Sequence, residues 1–351
     1  MLMLGIESSC DETAAAVVEE RDDPQRPWQI RSSVIASQSA IHREWGGVVP
    51  ELASRQHVRD ICGVVEQALS DARVGLDDIG AVSVTQGPGL VGSLLVGLSF
   101  AKSLAAARRL PLVPVHHLAG HIESLFLHNG PLPLPAVVLV VSGGHTSLYL
   151  VPTPGTYQLL ARTRDDAAGE AFDKVAKLLD LGYPGGPIID QRARAGNDRA
   201  VDLPSLRITH ADRRTPSDPG RLDFSFSGLK TAVARLVAAR HASGQSFTAP
   251  DVDDLCASFQ RVVVGTLVDR TFDAARALGA ASVGIAGGVS ANSRLRAEAV
   301  SRGERERLPV FVPSLQLSTD NAAMIAAAGL RRLHQGAFAG PDLNADASLV
   351  L

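Results

Sequence analysis

The predicted order of strands and helices occurs twice along this chain, and that repetition restricts the fold more than any other feature. Each half begins with three strands, after which helices and single strands alternate. The strands of the two triplets are predicted at 2–7, 13–19, 29–37, 136–142, 146–152 and 156–163. Strands joined by hairpins pair antiparallel, whereas strands joined by helices pair parallel. The sequence therefore predicts two successive α/β domains, each with a mixed sheet.

The linker NGPLPLP at 129–135 separates the two halves. We expect an N-terminal domain over 1–133 and a C-terminal domain over 134–351, which agrees with the usual size of domains. The C-terminal domain contains a polar insertion at about 182–226, and its last helix, from 319, is expected to pack near the interdomain cleft. In a duplicated fold that cleft is the natural site for a ligand. The other helices are predicted at about 50–73, 92–109, 168–180, 227–240 and 251–278, with further strands at 81–87, 112–116, 282–288 and 308–313.

Composition indicates a cytoplasmic protein with sizeable cores, since 45% of the residues are hydrophobic and no apolar run is expected to reach the roughly 18 residues needed to cross a membrane. The N-terminus does not resemble a signal peptide. The three cysteines of the chain are scattered along the sequence, which argues against a disulfide framework. The formal net charge of −3 provides no overall electrostatic attraction for nucleic acid. A nucleic-acid substrate would therefore require a local basic patch or a partner protein.

Two histidines, His117 and His121, are spaced four residues apart in VHHLAGHIESLFL. On a helix this spacing places both imidazoles on one face, where they can bind one metal ion. The protease motif H-E-x-x-H has a glutamate after the first histidine, but Leu118 occupies that position here. Surface or capping histidines are the alternative interpretation.

Asp320, in STDNAAM, follows the last strand of the second half, where Ser318 or Thr319 is expected to cap the final helix. The two histidines follow the equivalent strand of the first half, so the predicted topology directs all three side chains toward the cleft. Two imidazoles and one carboxylate leave coordination positions open, a pattern that suits Fe(II) or Zn(II).

Three glycine-containing turns follow predicted strands, at 5–13 (GIESSCDET), 140–147 (VVSGGHTS) and 284–296 (GIAGGVSANSRLR). Such turns expose backbone amides that can bind phosphate oxygens, although each turn alone is also compatible with an ordinary structural role. In the third turn we expect Ser290 to cap a helix that begins near Ala291, and Asn292 to contact a ribose or base. The chain contains neither GxGxxG nor GxxxxGK[ST], which disfavours a Rossmann dehydrogenase and a P-loop NTPase.

An acidic segment at 163–190 surrounds the start of another predicted helix. Asp165 and Asp166 are suited to interacting with the dipole of this helix. Asp173 could accept hydrogen bonds from ribose hydroxyls, and Gly186, in the turn PGGP, could lie against the flat face of a ligand. Lys174 lies within the same segment.

Over about residues 4–335 the sequence resembles the tRNA adenosine threonylcarbamoyltransferase family, known in bacteria as TsaD and formerly as O-sialoglycoprotein endopeptidase. The blocks that carry the resemblance are GIESSCDET, GGVVPELASRQH, TQGPGL, HHLAGH, VVSGGHT, DDAAGEAFDK, YPGGP, FSFSGLKT, GGVSAN and STDNAAM. Ser318 is a small departure, because the family often has cysteine at this position.

The resemblance implies a duplicated actin-like fold of the sugar kinase and Hsp70 ATPase type (ASKHA), with two RNase H-like domains around a cleft. It implies transfer of threonylcarbamoyl from threonylcarbamoyl-AMP to the exocyclic amine of the adenosine 3′ of the anticodon, in tRNAs reading codons that begin with A. The implied metal ligands are His117, His121 and Asp320, which would bind one divalent ion per chain, with Fe(II) favoured and Zn(II) possible. The implied substrate contacts are Val140, Val141, Ser142, Gly143, Gly144, Asp173, Gly186, Asp190 and Asn292.

The identity of a catalytic acid or base is left open, with Glu12 and Lys174 as candidates. The partners that the resemblance implies are tRNA, an inactive paralogue (TsaB), a P-loop ATPase (TsaE) and an upstream threonylcarbamoyl-AMP synthase. An ATP-dependent kinase of the same fold is the principal alternative, but it does not explain the histidine pair. A metalloprotease and a non-enzymatic nucleotide-sensing module are further alternatives.

Overall fold

The computed structural model describes residues 1–205 and 222–351, which form two five-stranded mixed sheets with flanking helices. The strands are β1 Leu2–Glu7, β2 Glu12–Glu20, β3 Trp28–Ser37, β4 Ala81–Gly87, β5 Leu112–His116, β6 Ala136–Val141, β7 Thr146–Val151, β8 Gln158–Arg162, β9 Ser282–Ala286 and β10 Val310–Phe311. The helices are α1 Ser39–Arg43, α2 Pro50–Ala72, α3 Val91–Arg108, α4 His117–Asn129, α5 Ala168–Leu178, α6 Gly185–Ala193, α7 Ser227–Ala242, α8 Ala249–Ala277, α9 Ser293–Glu306, α10 Leu315–Ser318 and α11 Ala322–His334.

The two sheets have the same topology, which confirms the predicted duplication. The strand order is β3-β2-β1-β4-β5 in one sheet and β8-β7-β6-β9-β10 in the other. In each sheet the first three strands pair antiparallel, the fourth strand pairs parallel with the first, and the fifth pairs parallel with the fourth. The central strands β1 and β6 are almost entirely buried, as expected for strands covered on both faces.

The chain divides into two compact units whose bounds differ from the predicted domains. The first unit contains 1–132, 154–157 and 313–351, and the second contains 133–153 and 158–312. The C-terminal segment from residue 313 was predicted to belong with the second half. It joins the first unit because α11 is buried continuously from Ala322 to Leu330 and packs against β1, β2 and α4. Burial of this apolar surface stabilises the first unit.

Several element boundaries also differ from the prediction. Helix α6 begins within the predicted insertion at 182–226, and residues 206–221 of that insertion lie outside the described residues. The last helix begins at Ala322 rather than at 319, because the side chain of Asn321 caps it by accepting a hydrogen bond from the Met324 amide. The expected cap by Ser318 or Thr319 is therefore wrong.

Helix α3 contains 18 residues and is long and apolar enough to cross a membrane by length and composition alone. The prediction from the sequence was that no apolar run is long enough to cross a membrane. Its Leu94, Leu98 and Ala101 are buried, and Leu98 and Ala101 join strand residues of the first sheet in one hydrophobic core. One face of α3 therefore packs against the first sheet, while Val91 and Leu95 are exposed.

Candidate metal centre and glycine turns

Strand β5 leads directly into α4, and this junction sets the position of the paired histidines. His116, the last residue of β5, caps α4, since its Nδ1 accepts a hydrogen bond of 3.1 Å from the Leu118 amide. Its Nε2 lies 3.1 Å from the carbonyl oxygen of Leu349, to which it donates. Both ring nitrogens of His116 are thus engaged, and the first turn of α4 begins at His117.

The structure brings His117, His121 and Asp320 together within the first unit. Nε2 of His117 lies 3.6 Å from Oδ1 of Asp320, and Nε2 of His121 lies 3.2 Å from the same oxygen. One potential ligand atom from each residue lies within 4.8 Å of the other two. Asp320 lies between α10 and α11, where Asn321 holds the turn by donating a hydrogen bond of 2.8 Å to the Thr319 carbonyl.

The donor atoms fit a divalent metal ion. Bonds of about 2.0–2.2 Å from nitrogen and oxygen to one ion place neighbouring ligand atoms roughly 3.0–3.6 Å apart. His121 is fully buried, yet neither of its ring nitrogens makes a well-aligned hydrogen bond within the described part of the chain. A buried polar group without a partner is costly, and a bound ion would supply that partner. This cluster could therefore hold a divalent metal.

Glu7 supports His117 from the side opposite Asp320, and sequence reasoning did not identify it. Nδ1 of His117 donates to Oε2 of Glu7 over 3.1 Å, while Ser9 Oγ lies 3.2 Å from the same nitrogen. The Thr85 hydroxyl also donates to Oε2 of Glu7, over 2.7 Å. A carboxylate in this position orients an imidazole that binds metal through its other nitrogen. The available signal was the position of Glu7 at the end of β1, beside a glycine-containing turn.

The pKa values of His117 and His121 shift in opposite directions. Burial disfavours the charged form of His117, but the carboxylates of Asp320 and Glu7 outweigh it and raise its pKa to about 9. Burial lowers the pKa of His121.

Glu12 begins β2, directly after the turn formed by residues 8–11. Burial, followed by the negative charges of Asp11 and Asp320, raises the pKa of Glu12 well above its ordinary value. Fully buried His57 holds this turn, because its Nε2 donates to the Cys10 carbonyl over 2.9 Å. Its Nδ1 lies 2.7 Å from the Thr13 hydroxyl, which donates to it.

The second unit contains the turn between β6 and β7, which is equivalent to the turn between β1 and β2. The Ser142 amide donates to the His145 carbonyl over 2.8 Å, and the Gly169 amide donates to the Ser142 carbonyl over 3.2 Å. Gly287 follows β9 with φ +90°, and a Cβ on it would lie 2.5 Å from the Val141 carbonyl oxygen. Glycine is required there, because both the backbone conformation and the close approach exclude a side chain. Backbone from α5 and from the third glycine turn thus packs against Ser142 and Val141 at the end of β6, whereas Gly143 and Gly144 are exposed.

Asp173 joins α5 to α6. Its Oδ1 accepts a hydrogen bond of 2.7 Å from the amide of Gly185, the first residue of α6. A Cβ on Gly185 would meet the Asp173 backbone at 2.8 Å, whereas a Cβ on Gly186 would meet nothing within 4 Å. Of these two neighbouring glycines, Gly185 serves helix packing, whereas the space beside Gly186 is open.

Asp190 and Asn292 belong to one buried hydrogen-bond network, which Gln260 of α8 connects. The Gln260 amide donates to Asp190 Oδ1 over 3.2 Å and accepts from Asn292 Nδ2 over 3.1 Å. Asp190 also accepts a hydrogen bond of 2.8 Å from the Ser293 hydroxyl.

Asn292 caps α9, since its Oδ1 accepts a hydrogen bond of 3.0 Å from the Leu295 amide. The expected cap by Ser290, with a helix beginning near Ala291, is therefore wrong. Sequence reasoning missed Gln260, whose only local signal is a polar residue within an apolar stretch of α8.

Lys174 lies in a charged cluster of the second unit. Its Nζ lies 2.8 Å from both Asp166 and Glu170, and hydrogen bonds to these carboxylates raise its pKa, so the ammonium remains protonated. Lys230 also pairs with Asp166, over 3.0 Å. Asp165 accepts a 2.7 Å hydrogen bond from the Phe226 amide at the start of α7, rather than interacting with α5 as predicted.

Comparison with known proteins identifies the family of this chain. The sequence model of the tRNA N6-adenosine threonylcarbamoyltransferase family, TsaD, matches residues 29–327. The chain belongs to this family. The threonylcarbamoyltransferases are enzymes of tRNA modification, so this chain is a transferase, and the comparisons do not favour the kinase alternative. The family resemblance predicted from the sequence is confirmed.

A tRNA N6-adenosine threonylcarbamoyltransferase from Anaeromyxobacter dehalogenans is 53% identical to this chain over 345 residues, which cover 98% of both proteins. Among solved structures, component A of the Acidaminococcus fermentans (R)-2-hydroxyglutaryl-CoA dehydratase matches 95% of this chain and 99% of its own, with TM-score 0.53 and 13% identity. Full-length HypF matches 94% of this chain and 46% of its own, with TM-score 0.56 and 13% identity. These structural similarities concern the fold alone, and they confirm the predicted actin-like α/β class.

Proposed function

We propose that this chain transfers threonylcarbamoyl from threonylcarbamoyl-AMP to the exocyclic amine of the adenosine 3′ of the anticodon, in tRNAs reading codons that begin with A. The buried arrangement of His117, His121 and Asp320 carries the proposal, because it assembles an open metal site in a member of this transferase family. The metal is one divalent ion per chain. Two imidazoles and one carboxylate favour Fe(II), with Zn(II) as the alternative.

In this reaction a bond forms between N6 of adenine and the carbonyl carbon of the threonylcarbamoyl group. The bond from that carbon to the phosphate oxygen breaks, and AMP leaves with the electron pair. One proton on N6 must be removed. Because the exocyclic amine is a weak nucleophile, correct placement of the two reactants should supply much of the acceleration.

The described residues support separate tasks in this scheme. Backbone amides at Gly143 and Gly144 lie in open space and can bind oxygens of the donor. Asp173 and the open side of Gly186 are suited to the nucleoside part of the donor, and Asn292 and Asp190 lie in the adjoining network. A bound divalent ion would stabilise negative charge that develops on the donor oxygens.

Glu12 is the better of the two candidates for the residue that accepts the N6 proton. Its raised pKa suits a general base or acid, whereas Lys174 is held protonated by Asp166 and Glu170. Lys174 is then a fixed positive charge within the second unit. Replacing Glu12 with Gln should lower the rate of transfer while leaving metal content unchanged.

The proposal includes a cytoplasmic location and the partners that the family resemblance implies. These are tRNA, the paralogue TsaB, the P-loop ATPase TsaE and an upstream synthase that makes threonylcarbamoyl-AMP. A kinase of the same fold would instead consume ATP in the presence of a small hydroxylated acceptor and would leave tRNA unmodified.

The test is reconstitution with tRNA, threonine, bicarbonate, ATP and these partners, followed by nucleoside analysis of the tRNA. The wild-type chain should produce threonylcarbamoyladenosine. His117→Ala should weaken metal binding by at least the roughly 10–100-fold that is typical even when a residue that only orients a ligand is lost, and it should abolish product. His128→Ala, on the exposed end of the same helix, is the matched control and should behave as wild type. Full metal retention in a His117→Ala, Asp320→Ala double variant would contradict the site.

A further inference from the structure

A second group of polar side chains joins α4 to α11, the two helices that adjoin the candidate metal ligands. Glu123 lies on α4, two residues after His121, and is fully buried. Arg331 lies near the end of α11, whose start follows Asp320. Nε of Arg331 lies 2.8 Å from Oε1 of Glu123, which makes an ion pair between the helices.

Three aromatic side chains complete this group. The Tyr157 hydroxyl donates to the same Oε1 of Glu123 over 2.6 Å. The Arg331 guanidinium lies over the rings of Trp28, at 4.7 Å, and Phe126, at 5.1 Å. Tyr157 comes from the segment 154–157, which forms part of the first unit.

A buried carboxylate is tolerated when charged and hydrogen-bonding partners compensate its lost hydration. Here Oε1 of Glu123 has two such partners, and neither belongs to its own helix. Burial, and then the charge of Glu123, raise the pKa of Tyr157 well above its ordinary value, so its hydroxyl retains the proton that it donates. The rings of Trp28 and Phe126 hold the guanidinium in one orientation. Movement of α4 along α11 would break the contacts of Arg331 with Glu123 and with Phe126, since both of these residues belong to α4.

A second contact between the helices lies nearer the candidate metal ligands. Gly120 lies between His117 and His121 in sequence, and a Cβ on it would lie 2.9 Å from Ile325 Cδ1 and 3.2 Å from Met324 Cγ. The helices therefore contact at two levels, at Gly120 and at the Glu123–Arg331 pair. Two levels of contact determine both the separation of the helices and their register.

We propose that Glu123, Arg331 and Tyr157 form a clamp that positions α4 against α11 and thereby sets the distance between the two imidazoles and the Asp320 carboxylate. These are positioning residues, since none of them is a ligand. The clamp rests on the proposed metal site, and it assigns a role to buried groups that the transfer reaction itself does not use. Its consequence is that metal affinity and coordination geometry depend on groups outside the ligand set.

Co(II) is the probe, because its visible absorption reports coordination geometry without any need for activity. Tyr157→Phe removes one hydroxyl from the clamp and retains the ring. A Glu123→Gln, Arg331→Met double variant removes both charges together, which avoids leaving one of them buried without a partner. We expect each variant to fold, to bind Co(II) about 10–100-fold more weakly, as for other residues that orient ligands, and to show an altered absorption spectrum. Tyr149→Phe is the matched control, since Tyr149 is a buried tyrosine of the second unit, and it should leave both properties unchanged.

Circular dichroism and thermal unfolding in the absence of metal establish that each variant is folded. If folded Tyr157→Phe and the double variant keep the wild-type Co(II) affinity within twofold and the wild-type spectrum, the clamp is wrong while the metal site stands. If the wild-type chain binds no Co(II), the metal site itself fails, and the clamp fails with it. A loss confined to the Glu123 and Arg331 variant would remove Tyr157 from the clamp.

Discussion

At the scale of single residues, the surroundings of each glycine show whether the fold requires glycine at that position. Gly185 is needed because Asp173 and Phe172 backbone atoms lie where its side chain would be. A Cβ on Gly143 would meet nothing within 4 Å, so the protein itself has no need of glycine at that position. Open space beside exposed amides is what a ligand-binding turn requires.

Replacing Gly143 with Val therefore tests ligand approach without the complication of misfolding. We expect the variant to unfold at nearly the wild-type temperature, to retain metal, and to lose at least tenfold in affinity for an inert analogue of threonylcarbamoyl-AMP. Isothermal titration measures that affinity. Gly265→Val in α8, another position with open space around a Cβ, is the control and should bind the analogue normally. Normal affinity in Gly143→Val would show that the donor does not approach this turn.

At the scale of elements, α4 carries the candidate ligands His117 and His121 and also packs against α11. Its residues from His117 to Leu127 are all buried, including the two histidines, Glu123 and Ser124. A helix that is buried all round has its position determined by its neighbours rather than by solvent. Small changes at the helix interface should therefore appear as changes in metal binding.

Gly120→Ala adds one methyl group at this interface. The added Cβ would meet side-chain ends of Ile325 and Met324, which can shift, and alanine favours helix over glycine by about 1 kcal/mol. Overpacking typically costs about 1–3 kcal/mol, so the free energy of unfolding should fall by at most about 2 kcal/mol. The displacement of α4 should weaken Co(II) binding by about tenfold or more.

The compensating change is Ile325→Val, which deletes the Cδ1 atom that the new methyl group would meet. The Gly120→Ala, Ile325→Val double variant should recover most of the Co(II) affinity, as measured by chelator competition. Unchanged affinity in Gly120→Ala alone would indicate that α4 and its ligands move independently of this contact.

At the scale of the whole molecule, charge determines what the chain can bind unaided. The net charge of −3 gives no general attraction for a polyanion, and 30 of the 34 cations are arginines, since only Lys102, Lys174, Lys177 and Lys230 are lysines. Many of these cations are paired with carboxylates, as in the pairs Arg294–Asp198 and Lys230–Asp166. The arginine grouping RRTPSDPGR at 213–221, a candidate for a local basic patch, lies outside the described residues.

We therefore expect the isolated chain to bind tRNA weakly and the complex with its partner proteins to bind tightly. Tight binding of a phosphate backbone depends on many cationic contacts, and the dissociation constant rises steeply with salt when several contacts form. A salt titration of tRNA binding, with the isolated chain and with the reconstituted complex, measures this difference. Equal affinities and equal salt slopes for both would mean that the chain provides the whole tRNA surface by itself.

Much of this protein could be predicted from local sequence. Periodic apolar residues and glycine turns predicted both triplets of strands and the helices between them, because side-chain burial repeats with the period of each element. The i, i+4 spacing predicted the histidine pair, because helix geometry is the same in every protein. Four features could not be predicted. They are the association of 313–351 with the first unit, the orientation of His117 by Glu7, the connection of Asp190 to Asn292 through Gln260, and the Glu123–Arg331–Tyr157 contacts. Each joins residues that are far apart in the chain, and such partners are selected by the packing of whole elements and by the need to compensate buried charge, for which no local pattern in the sequence exists.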